Sequence, residues 1–206
     1  MIKFENVSVQ YVEEFVTLFD FSHTFNKNSL LIGDKLSGSN TILRLIAKLD
    51  KNYNGKIRVN NTNLKQIADK NLNLAFVSEQ PYLFKFKSLE NNLAYGLKLR
   101  KFDKQTIKSM IDEFVERFNL NTLPKKMRKL NLSQQKILSL ARAVIRKPKI
   151  LLLEYFFEDL DSSLYPVANE MLKTLNEDCL IIACENKKFD FFSSFETLNF
   201  SFGSLV

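Results

Sequence analysis

The stretch Ser29-Leu-Leu-Ile-Gly-Asp-Lys-Leu-Ser-Gly-Ser-Asn-Thr-Ile-Leu-Arg-Leu-Ile-Ala47 decides how the rest of the chain is read. It opens on Ser29 and three apolar residues, Leu30, Leu31 and Ile32, that stop at Gly33, the pattern of a short strand buried on both faces. A polar loop follows, with a second glycine at Gly38. From Thr41 the apolar positions Ile42, Leu45, Ile46 and Leu49 recur at helical spacing. Outward from this strand, loop and helix, Asn54-Gly55 marks a turn before the short strand Lys56-Ile-Arg-Val59. Leu74-Ala-Phe-Val77 is a further apolar run, and Pro81 closes it. Upstream, Ile2, Phe4, Val7 and Val9 alternate in part, as in an edge or hairpin strand.

Residues 88–129 carry no strand pattern. There Ile107, Met110, Ile111, Phe114, Val115 and Phe118 fall on one helical face, and the block is strongly basic, which predicts an inserted helical lobe. A second amphipathic helix, with Ile137, Leu138, Leu140, Ala141, Val144 and Ile145, is stopped by Pro148. Ile150-Leu-Leu-Leu153 reads as a buried strand, residues 161–176 as a helix, and Leu180-Ile-Ile-Ala-Cys184 as the last clear buried strand. That order predicts an α/β protein with a mostly parallel sheet, in one domain over residues 1–206.

Composition narrows the function. Hydrophobic residues are 45% and charged residues 26%, which excludes a disordered chain. No apolar run reaches the ~18 residues of a membrane span, and the first residues show no export signal. The chain has 5 glycines, where typical usage of ~7% gives about 14, and this weighs against a glycine-rich phosphate loop. With His23 the single histidine and Cys179 and Cys184 the only cysteines, histidine-based metal sites and a disulfide framework are disfavoured, and no metal site is expected. The net charge of +7 favours an acidic partner.

Six segments, in order, resemble the ATPase domain of ABC transporters. The opening stretch resembles its P-loop, Asn54-Gly-Lys-Ile-Arg-Val-Asn60 the turn and strand that follow, and Phe76-Val-Ser-Glu-Gln-Pro-Tyr-Leu-Phe84 its Q-loop. The segment from Ser88 to Lys101 resembles the start of the helical lobe. Residues 129–143 resemble the signature motif with its helix, and residues 148–161 Walker B running into the D-loop. The likeness runs from residue 1 to about 203 and leans toward the ATPases of sugar-type importers. It implies a P-loop NTPase fold of ABC type: a mostly parallel sheet with flanking helices, an N-terminal antiparallel β part and an inserted helical lobe at about residues 88–129. It also implies a cytoplasmic subunit, peripheral to the cell membrane, that binds ATP with Mg²⁺ and acts as a dimer on a transmembrane permease.

The chain departs from that pattern at the chemistry. In Gly33-Asp-Lys-Leu-Ser-Gly-Ser-Asn-Thr41 the two outer glycines and Thr41 remain. Leu36 stands for the middle glycine, Ser39 for the lysine that reaches the phosphates, and Asn40 for the Mg²⁺-binding serine. Lys35 could reach in from the loop or stay solvated. The Walker B pair is Glu154 and Tyr155, and a tyrosine is no base near neutral pH. Glu185 aligns with the switch histidine and Glu79 with the Q-loop glutamine. The signature reads Leu130-Asn-Leu-Ser-Gln134, so Asn131, Ser133 and Gln134 are its polar residues and both glycines are gone. Tyr11 falls where the family stacks an aromatic on adenine, or it packs as a strand-end tyrosine. Asp161 matches the D-loop at the dimer interface and suits a helix N-cap equally.

The resemblance therefore implies a degenerate, inactive homologue with at most weak ATP and Mg²⁺ binding. It would form a heterodimer with an active ATPase subunit, reach the membrane surface through its partner, and have no nucleic acid as its main ligand. Two alternatives stand beside it: a weak ATPase using Lys35 and Glu154, and a basic scaffold for nucleic acid or another assembly. Tyr82, Leu83, Phe84 and Phe86, bordered by Lys85 and Lys87, are expected to dock the permease, or else to fill the core between lobes. Basic residues follow at Lys98, Arg100, Lys101, Lys104 and Lys108, then at Lys125, Lys126, Arg128 and Lys129.

Overall fold

Short runs of leucine, isoleucine and valine that cannot face water on either side become the strands of a covered sheet. In the computed structural model, which describes the chain except residues 13, 14, 99, 101, 125 and 176 and the side chains of residues 11, 12, 15 and 16, three such runs lie side by side. β3 (Ser29–Ile32), β7 (Ile150–Glu154) and β8 (Leu180–Glu185) carry the runs at residues 30–32, 150–153 and 180–184. β8 lies between the other two and is parallel to both, with Ile32 opposite Glu185 and Glu154 opposite Cys184. The six-stranded sheet is completed by β6 (Leu74–Val77) beside β7, and by β9 (Glu196–Ser201) and β10 (Ser204–Leu205) beyond β3. β9 runs parallel to β3 and turns back into β10. The carboxyl ends of β3, β7 and β8 thus meet at one edge, where an open α/β sheet places its ligand site.

A second sheet is antiparallel. β1 (Ile2–Val12) and β2 (Phe15–Phe25) form a hairpin, and β4 (Asn54–Val59) with β5 (Thr62–Asn63) completes the order β2-β1-β4-β5. β1 is a hairpin strand but no edge, since it pairs with both β2 and β4. The hairpin register slips between Phe4 and Val7, and again on to Val9. Asn6 and Asp20 take left-handed backbone there. Side chains fill in for the lost ladder: Asn6 N–H donates to Ser22 Oγ at 2.8 Å and Asp20 N–H to Ser8 Oγ at 2.9 Å.

The described chain divides into two compact units. The first comprises Met1–Phe76, Lys149–Glu158 and Leu180–Val206, with the strands above and α1 (Ser39–Ile46). Its core joins Ile2, Phe4, Phe21 and Phe25 to Leu31, Ile42, Leu152 and Ile182. A ring cluster built on Phe156, Phe157 and Phe192 lies in the same unit, with Phe189, Phe191 and Phe195 around it. The second unit comprises Val77–Pro148 and Asp159–Cys179. It holds α2 (Leu89–Lys98), α3 (Lys104–Arg117), α4 (Leu132–Val144) and α5 (Tyr165–Lys173), the last with Pro166 in its first turn. Lys101 and Lys125 fall outside the described residues. Both cysteines are free and buried.

Candidate functional site

The loop from Gly33 to Gly38 leaves the end of β3 and turns into α1. Gly38 makes that turn with φ +87°. A Cβ there would lie 2.1 Å from the carbonyl oxygen of Thr17, so glycine is required by both conformation and space. Asp34 organises the loop: its carboxylate accepts the Leu36 N–H at 2.9 Å, and its carbonyl accepts the Ser37 N–H at 3.1 Å. Ser37 Oγ in turn accepts the Ser39 N–H at 3.3 Å, and the Gly38 carbonyl accepts the Thr41 N–H at 3.1 Å. The amides of Leu36, Ser37, Ser39 and Thr41, of the kind a phosphate-binding loop presents to its anion, are here directed at the loop's own oxygens. From outside, Gly203 N–H donates to the Ser37 carbonyl at 2.9 Å, and Phe19 N–H donates to the Gly203 carbonyl at 2.9 Å.

Ser39 is fully buried and Thr41 is buried, while Lys35 is exposed and Asn40 half-buried. The Lys35 ammonium lies 5.9 Å from the centre of the Tyr155 ring. Tyr155 follows β7 directly, and its hydroxyl stands 3.0 Å from the Asp34 carbonyl, 3.4 Å from the Gly33 carbonyl and 3.5 Å from Ser39 Oγ. Burial pushes its phenol up, out of the range where it could act as a base. Burial also pushes the Cys184 thiol, 3.5 Å from Ser39 Oγ, up to about 12. Glu154 is buried at the end of β7. Glu185 is fully buried, accepting the Phe157 N–H at 2.9 Å on its carboxylate and the Gly33 N–H at 3.2 Å on its carbonyl. The first unit therefore brings Gly33, Lys35, Gly38, Ser39, Tyr155, Cys184 and Glu185 together. The side chain of Tyr11 lies outside the described residues.

In the second unit the signature residues act on their own helix. Asn131 Oδ1 accepts the Gln134 N–H at 2.8 Å and Gln134 Oε1 accepts the Asn131 N–H at 3.1 Å, a reciprocal cap at the start of α4. Ser133 Oγ donates to the Asp159 carbonyl at 3.1 Å and accepts the Asp161 N–H at 3.0 Å, tying this helix to the D-loop segment. Asp161 is exposed and precedes a 3-10 turn, Ser162–Leu164, whose start it holds with its carbonyl and not its side chain. Glu79 lies half-buried after β6.

The docking cluster separates into two kinds of residue. Leu83 and Phe84 are half-buried, and the Phe84 ring packs on Tyr95 at 4.7 Å with the Arg142 guanidinium 5.6 Å away. Tyr82 and Phe86 stand out into solvent, Tyr82 at 76% exposure. Sequence reading passes over the two residues that hold this loop. Buried Asn92 accepts the Phe84 N–H at 2.9 Å and donates to the carbonyls of Phe84 and Ser88. Arg142 donates to the Tyr82 carbonyl at 2.7 Å. Asn92 does leave a signal, because it interrupts the apolar stripe Leu89, Leu93, Gly96 of α2 with an amide. Among the described residues no group of three or more acidic, histidine or cysteine side chains could hold a metal, and no helix is long and apolar enough to cross a membrane.

Set beside known proteins, residues 16–154 match the family model described as ABC transporter. The sn-glycerol-3-phosphate import ATP-binding protein UgpC of Yersinia enterocolitica is 29% identical over 166 residues, 79% of this chain and 46% of that protein. The sulfate/thiosulfate import ATP-binding protein CysA of Synechococcus elongatus is 30% identical over 180 residues, 86% of this chain and 52% of that protein. This chain thus spans about half the length of the curated relatives it matches. The fold follows that of a dimeric ATP-binding cassette in a post-hydrolysis state bound to ADP and phosphate, with a TM-score of 0.85, 21% identity and coverage of 100% of this chain and 96% of the other. It also follows a bacterial Atm1-family ABC exporter with ATP bound, with a TM-score of 0.83, 18% identity and coverage of 100% of this chain and 38% of that one.

Proposed function

This chain belongs to the ABC transporter family, and from that premise we propose that it is an ATP-binding-subunit homologue that has given up hydrolysis. It pairs with an active ATPase subunit and docks on a transmembrane permease at the inner face of the membrane. The observation that carries this reading is Ser39: a neutral, fully buried side chain occupies the position of the family's phosphate-binding lysine. A magnesium triphosphate does not fit this donor set. Its charge needs a cation inside the loop and amides turned toward it. Here Lys35 lies at the surface and the amides of Leu36, Ser37, Ser39 and Thr41 are engaged within the loop. Water activation fails separately, because Tyr155 is a hydrogen-bond donor at neutral pH and Glu185 is fully buried with one carboxylate oxygen on the Phe157 amide. A pair of identical copies would repeat these losses at both sites, so an intact partner has to supply the working parts.

Phosphate release by the purified chain is expected to equal that of Thr41→Ala and Glu154→Ala variants, at the level of buffer background. Release proportional to protein and lowered by either change overturns the reading.

Docking is supported by Tyr82 and Phe86, two exposed aromatic rings beside Lys85 and Lys87. Aromatic anchors within a charged rim are typical of an interface, and each basic residue near an anionic leaflet contributes about 1 kcal/mol. Tyr82→Asp with Phe86→Asp is expected to release the chain from membranes of expressing cells while its melting temperature stays within about 2 °C, as for surface changes of under ~0.5 kcal/mol. A folded double variant that stays bound places the partner on another face.

A further inference from the structure

Resting on the reading that this loop carries no catalytic nucleotide, we propose that Tyr155 is a built-in stopper: its phenol fills the P-loop and ties it shut. Three loop oxygens surround the hydroxyl, at 3.0 Å (Asp34 carbonyl), 3.4 Å (Gly33 carbonyl) and 3.5 Å (Ser39 Oγ). The side chain is only 1% exposed. Tyr155 also holds φ +44°, a left-handed backbone that a bulky residue adopts only at a cost. Such a cost is retained where the surroundings over-determine the conformation. Here the fixing contacts are the Tyr155 N–H to the Cys184 carbonyl at 2.8 Å and the hydroxyl to Asp34. The backbone is bent so that the ring enters the loop.

Ser39 and Tyr155 are then two halves of one change. Ser39 Oγ lies 3.5 Å from the phenol oxygen, so a lysine side chain at position 39 would have to cross space the ring already occupies. The small serine makes room for the phenol, whose hydroxyl donates to the Asp34 carbonyl, an acceptor that a phosphate oxygen could not serve. The loop is thereby ordered without ligand, which suits a subunit that serves as a fixed half of an assembly.

Amide hydrogen exchange tests the stopper directly. Tyr155→Phe keeps the ring and removes the hydroxyl; exchange at residues 34–39 is expected to speed up at least tenfold, with α4 unchanged. Loop exchange no faster than in the unmodified chain overturns the proposal. A thermal-melt cycle gives a second readout. Ser39→Lys is expected to lower the melting temperature when Tyr155 is present and to lower it much less in a Tyr155→Ala background. Equal losses in the two backgrounds overturn the proposal, as does ATP binding gained by Ser39→Lys with Tyr155 in place. None of these measurements depends on turnover: a failed exchange or melting result overturns the stopper and leaves the loss of catalysis standing, whereas ATP hydrolysis by the unmodified chain that Thr41→Ala lowers overturns both.

Discussion

Phe192→Ala is expected to destabilise the fold by ~3–5 kcal/mol, the range for truncating a fully buried phenylalanine that leaves a cavity. Phe192 has 0% exposure, and three rings meet it edge-on: Phe157 at 5.4 Å, Phe191 at 5.3 Å and Phe195 at 5.1 Å. Edge-to-face pairs contribute about 0.5–1.5 kcal/mol each beyond the area they bury, and one truncation removes three of them. Neighbouring rings are too large and too mutually braced to collapse into the space. For a chain of this size the loss corresponds to a fall in melting temperature of roughly 10 °C. Denaturant titration should show the midpoint moving with little change in slope. A loss below ~1 kcal/mol would mean that the cluster repacks.

Gly38→Ala should come second, with a loss of ~2–4 kcal/mol from left-handed backbone strain and overpacking together. The new methyl would lie 2.1 Å from the Thr17 carbonyl oxygen and 3.2 Å from Gly203 Cα. Both are backbone atoms, so no side-chain rotation relieves the overlap. Gly96→Ala provides the contrast: its methyl meets the stem of Arg146 at 2.3 Å, a flexible side chain that can swing aside. Melting curves of the two variants should therefore differ clearly, with Gly38→Ala the lower. If Gly96→Ala proves equally harmful, mobility of the obstructing atoms is not what separates them.

The parallel strands were legible because β3, β7 and β8 each carry an unbroken apolar run of three to five residues, and a sheet covered on both faces accepts such runs. The helix after Gly38 was legible from its period. β2 was not, and the reason is local. Its buried residues Leu18, Phe21 and Phe25 are spaced by three and four, a helical interval, because the left-handed bulge at Asp20 inserts a residue and shifts the strand's alternation. At the site, residue identities were legible but not their engagements. Ser39 and Tyr155 stand far apart in sequence, and nothing in the spacing says that their hydroxyls meet. The segment from Asn131 to Gln134 shows the opposite problem: its pattern fits both a signature motif and a helix-capping box, and its described side-chain bonds are those of the box.

The slipped hairpin has a consequence at the rim of its sheet. β2 is an eleven-residue strand at the rim of its sheet, and a long regular rim is a template on which another copy can add a strand. On that rim the Phe19 N–H is already bound to the Gly203 carbonyl at 2.9 Å, and the left-handed turn at Asp20 twists the rim out of line. An incoming strand meets broken register and a carboxylate where it would need continuous pairing. The irregularity that hides β2 from a reading of the sequence also makes its rim a poor template for a second copy.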